Sequence, residues 1–83
     1  MFDYDLLPEH IRGGMKLYLE DHVEPGGFLR AVLENDLVGA FGKADNINRA
    51  WMFDIVTFIY NEVPASCWGS REAVEKWLEG GEK

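Results

Sequence analysis

Three side chains in this sequence are of the kinds that most often carry out chemistry, namely His10, His22 and Cys67. Histidine and cysteine bind zinc in closely spaced motifs such as CxxC or HExxH, and no two of these residues have that spacing. Cys67 and His22 could form a nucleophile pair, but no residue near either one supplies an orienting acid or an oxyanion hole. We therefore predict no catalytic residue, no metal ligand and no cofactor. His22 is interpreted as a partly buried structural histidine, and Cys67 as a buried or half-buried thiol beside Trp68.

The segment Pro25-Gly26-Gly27 precedes a predicted helix, and the backbone N–H groups of such a turn can hold an anion. The segment lacks the lysine and the serine or threonine of a phosphate-binding loop. Glu20, Asp21 and Glu24 lie close by in the sequence and would repel phosphate. We therefore interpret the glycines as turn residues.

Acidic residues stand at the C-terminal ends of predicted helices, where the helix dipole disfavours them. Glu20 and Asp21 close the first predicted helix, and Glu62 closes the third. Such a break with a local rule is sometimes the mark of a functional residue. Together with Glu24, these acids are candidates for an acidic knob that contacts a partner, and the alternative is that they are merely solvated.

Asp36 is predicted to project from the middle of the apolar arc of the second helix, and an acid in that position needs a partner. One interpretation pairs it inside the bundle with Arg49 or Arg12, or with the N–H groups of a helix N-terminus. The other places it in an exposed groove that accepts a basic residue of a partner protein. We favour the structural interpretation.

Trp68 belongs to the densest cluster of polar and aromatic residues outside the regular apolar stripes, which begins at Tyr60. A tryptophan in a loop can cover the bundle as a roof, or it can protrude and anchor a partner, as tryptophan often does at interfaces. We predict a mostly buried Trp68, because a domain this short needs every large apolar side chain in its core.

The candidate residues are predicted to lie on helices or on the loops between them. The apolar residues recur at helical spacing, and no segment alternates cleanly enough to form a strand. We predict an all-α single domain over residues 1–83, a compact bundle of about four helices. The first helix starts near Pro8, the second follows the glycine turn, the third is capped by Asp45 and the fourth by Ser70. The third helix is predicted to be central, because its apolar residues cover about two thirds of its circumference.

Each predicted helix has an apolar face for the core. The faces comprise Ile11, Met15, Tyr18, Leu19 and His22 in the first helix; Phe28, Leu29, Val32, Leu33, Leu37, Ala40 and Phe41 in the second; Ile47, Trp51, Met52, Phe53, Ile55, Val56, Phe58, Ile59 and Tyr60 in the third; and Ala73, Val74, Trp77 and Leu78 in the fourth.

Composition and charge narrow the classes of function. The chain has 83 residues, of which 47% are hydrophobic and 28% charged, so it is neither disordered nor of low complexity. Its net charge is −7 and its bases are scattered, which disfavours direct binding to nucleic acid or to an anionic membrane. A single cysteine, an acidic start and no apolar run of about 20 residues favour a cytoplasmic protein.

Three segments carry a resemblance to a family: LPEHIRGGMKLYLE at the start, PGGFLRAVLENDLVGAFGKAD with Asn48 after it in the middle, and YNEVPASCWGSREAVEKWL at the end. Over about residues 6–79 the chain resembles small proteins encoded by bacteriophages and prophages. The resemblance implies an accessory protein in the bacterial cytoplasm that binds a host or phage macromolecule, including inhibition of host defence. It carries over no catalytic or binding residue.

The leading hypothesis from the sequence is a non-enzymatic protein that binds a host or phage protein. The candidate contact residues are Glu20, Asp21, Glu24, Asp36, Glu62 and Trp68. One alternative is an acidic mimic of nucleic acid that occupies a basic site on a nuclease or defence complex. Two further alternatives are a small enzyme that uses Cys67 or paired acids, and a structural subunit that exists only as an oligomer.

Overall fold

The computed structural model describes residues 2–80, and within that range the chain forms six α-helices and no β-strand. The helices are α1 (Glu9–Asp21), α2 (Gly27–Leu33), α3 (Leu37–Lys43), α4 (Asn46–Ala50), α5 (Met52–Glu62) and α6 (Arg71–Leu78), and short 3₁₀ turns lie at Tyr4–Leu6 and Ala65–Cys67. The prediction of an all-α fold is confirmed. The predicted number of four helices is wrong, because two of the predicted helices are interrupted.

The predicted helix starts at Asp45 and Ser70 are confirmed. The Asp45 carboxylate accepts the N–H of Asn48 at 2.7 Å, and the Ser70 hydroxyl accepts the N–H of Ala73 at 3.1 Å. Each cap satisfies one N–H group that has no partner inside its helix. Both helices therefore begin where the local chemistry of the sequence places them.

The second predicted helix is interrupted at Asn35, which adopts a left-handed conformation with φ of +65°. The N–H of Asn35 bonds the carbonyl of Val32, and the N–H of Asp36 bonds the carbonyl of Ala31. This pair of bonds is a Schellman motif, which closes α2. Asparagine tolerates the left-handed region better than most residues, and Asp36 then caps a new helix, α3.

The third predicted helix is interrupted at Trp51, whose ψ of 8° lies outside the helical range. The five residues before it form α4, and α5 follows directly. α5 buries one face, formed by Met52, Ile55, Phe58 and Ile59. The predicted burial of Phe53 and Tyr60 on this helix is wrong, because both side chains are exposed.

Tyr18 joins three elements in the core. Its hydroxyl donates to the carbonyl oxygen of Cys67 at 2.6 Å, and its own carbonyl accepts the indole N–H of Trp77 at 2.7 Å. Burial raises the pKa of the Tyr18 hydroxyl above its ordinary value. The other large side chains that are fully buried in the described core are Leu7, Met15, Leu33, Ile55, Phe58, Ile59, Cys67 and Val74.

The end of α2 is fixed by the loop that follows α5. The N–H of Gly69 donates to the carbonyl of Leu33 at 2.7 Å, and Gly69 has a φ of +109°, which favours glycine. The neighbouring Trp68 is thereby held beside the junction of α2 and α3.

Candidate functional site

A groove of about 170 Å³ opens between α3, α5 and the loop that carries Trp68. Ala40 of α3 and Met52 and Ile59 of α5 are buried residues in its lining. All of its lining residues are apolar or aromatic except Asn35 and Asp36. The groove is therefore an apolar depression with a polar edge at the junction of α2 and α3.

The groove continues into exposed apolar side chains, which we call the α3–α5 face and define as Leu37, Phe41, Phe53, Val56 and Tyr60. Leu37, Val56 and Tyr60 line the groove itself. Phe41 lies one helical turn after Leu37, and Phe53 lies three residues before Val56, so both project on the groove side of their helices. Leu37 is 62%, Phe53 81% and Tyr60 74% exposed. Several exposed large apolar side chains around an apolar depression typically mark a site of interaction.

Asp36 lies at the edge of the groove and also caps α3. Its Oδ1 accepts the N–H of Gly39 at 3.0 Å, and the residue is exposed. The predicted pairing with an arginine is wrong, because Arg12 bonds the carbonyl of Leu7 and Arg49 bonds the side chain of Asn46. Asp36 instead accepts its hydrogen bond from the N-terminus of α3, which is the second partner that the structural interpretation allows. Its position at the edge of a groove matches the functional interpretation.

Trp68 is partly buried and packs against the hydrophobic core. Its indole N–H donates to the carbonyl of Val63 at 3.2 Å, and its ring meets that of Tyr60 edge-on at 6.4 Å between centroids. The part of the side chain that the core does not cover lines the groove. Trp68 is therefore less buried than predicted. One part of its side chain covers the core, and the rest lines the groove.

Two of the candidate acids have partners inside the protein. Glu20 accepts a hydrogen bond from the hydroxyl of Tyr4 at 2.8 Å, and Glu24 forms an ion pair with Arg30 at 3.0 Å. Asp21 is exposed at the last position of α1, and Glu62 is exposed at the last position of α5. Internal pairing makes Glu20 and Glu24 poorer contact residues than Asp36.

His22 and Cys67 are engaged separately. The Nδ1 of His22 lies 2.7 Å from the carbonyl oxygen of Trp77, and the two rings pack at a tilt of 41° with centroids 4.2 Å apart. Cys67 is buried, with its carbonyl bonded to Tyr18. Within residues 2–80, no group of three or more His, Cys, Asp or Glu side chains is arranged to hold a metal ion.

The exposed apolar residues of the α3–α5 face were all expected in the core, and this is where sequence reasoning missed the site. Helical periodicity shows which residues share a face of a helix, but not whether another element covers that face. One available signal was the Asn35-Asp36 pair, since asparagine ends helices and aspartate begins them. A second was the unusual width of the apolar faces in the second and third predicted helices.

The comparisons with known proteins leave the groove as the main guide to function. No protein-family model, curated protein or solved structure matches the chain. Across the described part of the chain, no helix combines the length and the apolar character that crossing a membrane requires.

Proposed function

We propose that this chain is a non-enzymatic protein that binds another protein through the groove and the α3–α5 face. The observation that carries the proposal is the exposure of Leu37, Phe53 and Tyr60 around an apolar depression. A domain of this size buries only about 60% of the surface of its unfolded chain, so its core gains from every large apolar side chain. Leaving several outside is consistent with a surface that a partner covers.

The energy available from this surface suits a specific complex. Burying one large apolar side chain contributes about 1.5–3 kcal/mol, and micromolar binding corresponds to about −8 kcal/mol. Several such side chains are needed, because association itself costs about 4–15 kcal/mol. Tyrosine and tryptophan are also the residue types enriched at the energetic centres of interfaces, and Tyr60 and Trp68 both line the groove.

The resemblance to small phage-encoded proteins supports a partner from the bacterial host or the phage, and a role as an accessory protein that inhibits a host function or defence. Mimicry of nucleic acid is less well supported. Glu24, Glu34 and Glu75 all pair with Arg30, so part of the acidic surface is neutralised within the protein. An apolar groove is also not what a phosphate mimic requires.

The test is affinity capture from a bacterial host lysate at low and high salt, followed by titration of the purified captured protein against variants. The binding variant is Leu37→Ala combined with Tyr60→Ala. The matched control is Ile47→Ala, since Ile47 is 54% exposed near the start of α4 and does not line the groove. We expect at least a tenfold loss of affinity for the binding variant, little change for the control, and binding that persists at high salt.

Two outcomes would contradict the proposal. Equal losses for the control and the binding variant would place the contact elsewhere. Binding that disappears steeply with salt but ignores the apolar substitutions would favour the acidic mimic, because charge attraction is screened by salt whereas apolar burial is not.

A further inference from the structure

We infer that the occupant of the groove is a cationic amphipathic segment of a partner protein, which inserts one bulky apolar side chain and places a lysine or arginine against Asp36. This inference rests on the proposed function and adds the chemistry of the partner. It is carried by the combination of an apolar depression with a single acidic residue in its lining.

The depression has the size for one apolar anchor. Its volume is about 170 Å³. A cavity of about 150 Å³ lined by aliphatic and aromatic side chains holds a benzene molecule, so a phenyl ring or a leucine side chain fits here. Because Ala40, Met52 and Ile59 beneath it are already buried, an inserted side chain would be surrounded by apolar atoms.

Asp36 supplies the charge at the edge of this depression. One of its oxygens takes the N–H of Gly39, and across residues 2–80 the structure gives Asp36 no ion pair with a lysine, arginine or histidine. Asp45, the corresponding cap of α4, differs in having His10 at 3.6 Å. A cationic group of a partner can therefore approach Asp36 without displacing an internal one.

The net charge of the chain indicates which class of molecule can cover its apolar face. The chain carries −7, so a second copy, a nucleic acid or an anionic lipid surface would bring like charge. A basic protein segment brings opposite charge both to Asp36 and to the whole molecule, which speeds the encounter and orients it. An amphipathic helix that docks in a groove commonly presents its anchor and its charged residue three or four positions apart.

The test is a selection of binders from a random 16-residue peptide library on the full chain, followed by titration of the selected peptides. We expect them to contain a large apolar residue with lysine or arginine three or four positions away. Asp36→Asn should weaken binding about three- to fivefold at low salt, the size of a lost surface ion pair, and less at high salt. Asp45→Asn is the matched control, because both variants keep a good helix cap and only Asp36 lines the groove.

The outcomes separate the two proposals. Selected peptides that need Leu37 and Tyr60 but are neutral or acidic, or that ignore Asp36→Asn, would overturn the inference and leave the proposed function standing. Peptides that bind equally to the wild type and to the variant carrying Leu37→Ala and Tyr60→Ala would overturn both. A dimer in solution that this double variant converts to monomer would also overturn the inference, because the occupant would then be a second copy.

Discussion

The carboxylate of Asp36 lies directly over Gly39, where it accepts the N–H of that residue at 3.0 Å and fills the space that a β-carbon at position 39 would need. A β-carbon at the third residue of α3 would therefore displace this carboxylate from its present position, which lies at the edge of the groove.

This contact predicts a coupling between the two residues. Gly39→Ala should stabilise α3 by about 1 kcal/mol through helix propensity, but it displaces the capping carboxylate of Asp36, which contributes a similar amount. With Asp36 present, we therefore expect little change or a small loss of stability. In the Asp36→Ala background the cap is already gone, and Gly39→Ala should stabilise by about 0.5–1 kcal/mol. Urea unfolding of the four variants measures the coupling energy, and strictly additive effects would contradict the geometry.

A second prediction concerns the left-handed Asn35, which ends α2. Asn35→Ala should lower the free energy of unfolding by about 1 kcal/mol, because alanine lacks the short polar side chain that lets asparagine adopt a positive φ. Asn35→Gly should be neutral or slightly stabilising, since glycine is the preferred residue at this position of a Schellman motif. Thermal or urea unfolding compares the two variants, and an alanine variant at least as stable as the glycine variant would contradict the left-handed conformation of Asn35.

How far the sequence predicts this structure depends on how local each feature is. The caps at Asp45 and Ser70 and the buried stripe of α1 were predicted correctly, because each depends on residues within a few positions. The exposure of Leu37 was not, since it depends on the direction in which α3 leaves the junction at Asn35. The helical period continues across that junction in the sequence, so periodicity alone does not reveal it.

The buried hydroxyl of Tyr18 gives a third prediction. Tyr18→Phe leaves the carbonyl of Cys67 without this donor and should cost about 1–3 kcal/mol of stability. Tyr4→Phe removes a hydroxyl that donates to the exposed Glu20, and it should cost much less. Urea unfolding compares the two variants, and equal losses would contradict the burial of the Tyr18 hydroxyl.

The same tyrosine predicts a dependence on alkaline pH. Burial raises the pKa of Tyr18 in the folded state, so between the ordinary tyrosine value of 10.0 and that raised value the folded chain holds a proton that the unfolded chain releases. Stability should therefore be complete below pH 10 and fall as the pH rises above it. Tyr18→Phe should make this fall shallower. An unchanged slope in the variant would count against the assignment.

A fourth prediction concerns Arg30, which joins three acids. Its guanidinium bonds Glu34 at 2.7 Å, Glu24 at 3.0 Å and Glu75 at 3.4 Å, and the bond to Glu34 is the main cause of its raised pKa. Arg30→Met keeps the apolar stem and should cost about 1–2 kcal/mol, with a smaller cost at high salt. Arg71→Met is the control.

Among residues 2–80 the side chain of Arg71 pairs only with Glu75, and it is 75% exposed, whereas that of Arg30 is 21% exposed. We therefore expect a loss of less than about 0.5 kcal/mol for Arg71→Met. Chemical unfolding at two salt concentrations makes the comparison. A loss at Arg30 no larger than that at Arg71 would show that the cluster is solvated and does not hold α2 against α6.

The central claim, that a partner covers the groove, is tested most directly by nuclear magnetic resonance on the full isotopically labelled chain titrated with a selected basic peptide. We predict that the largest shift changes fall on the amides of residues 35–40 and 56–60 and on the indole N–H of Trp68, while Ile47 stays unchanged. The largest changes at Ile47 and Trp51, or small changes spread evenly over the chain, would contradict the claim.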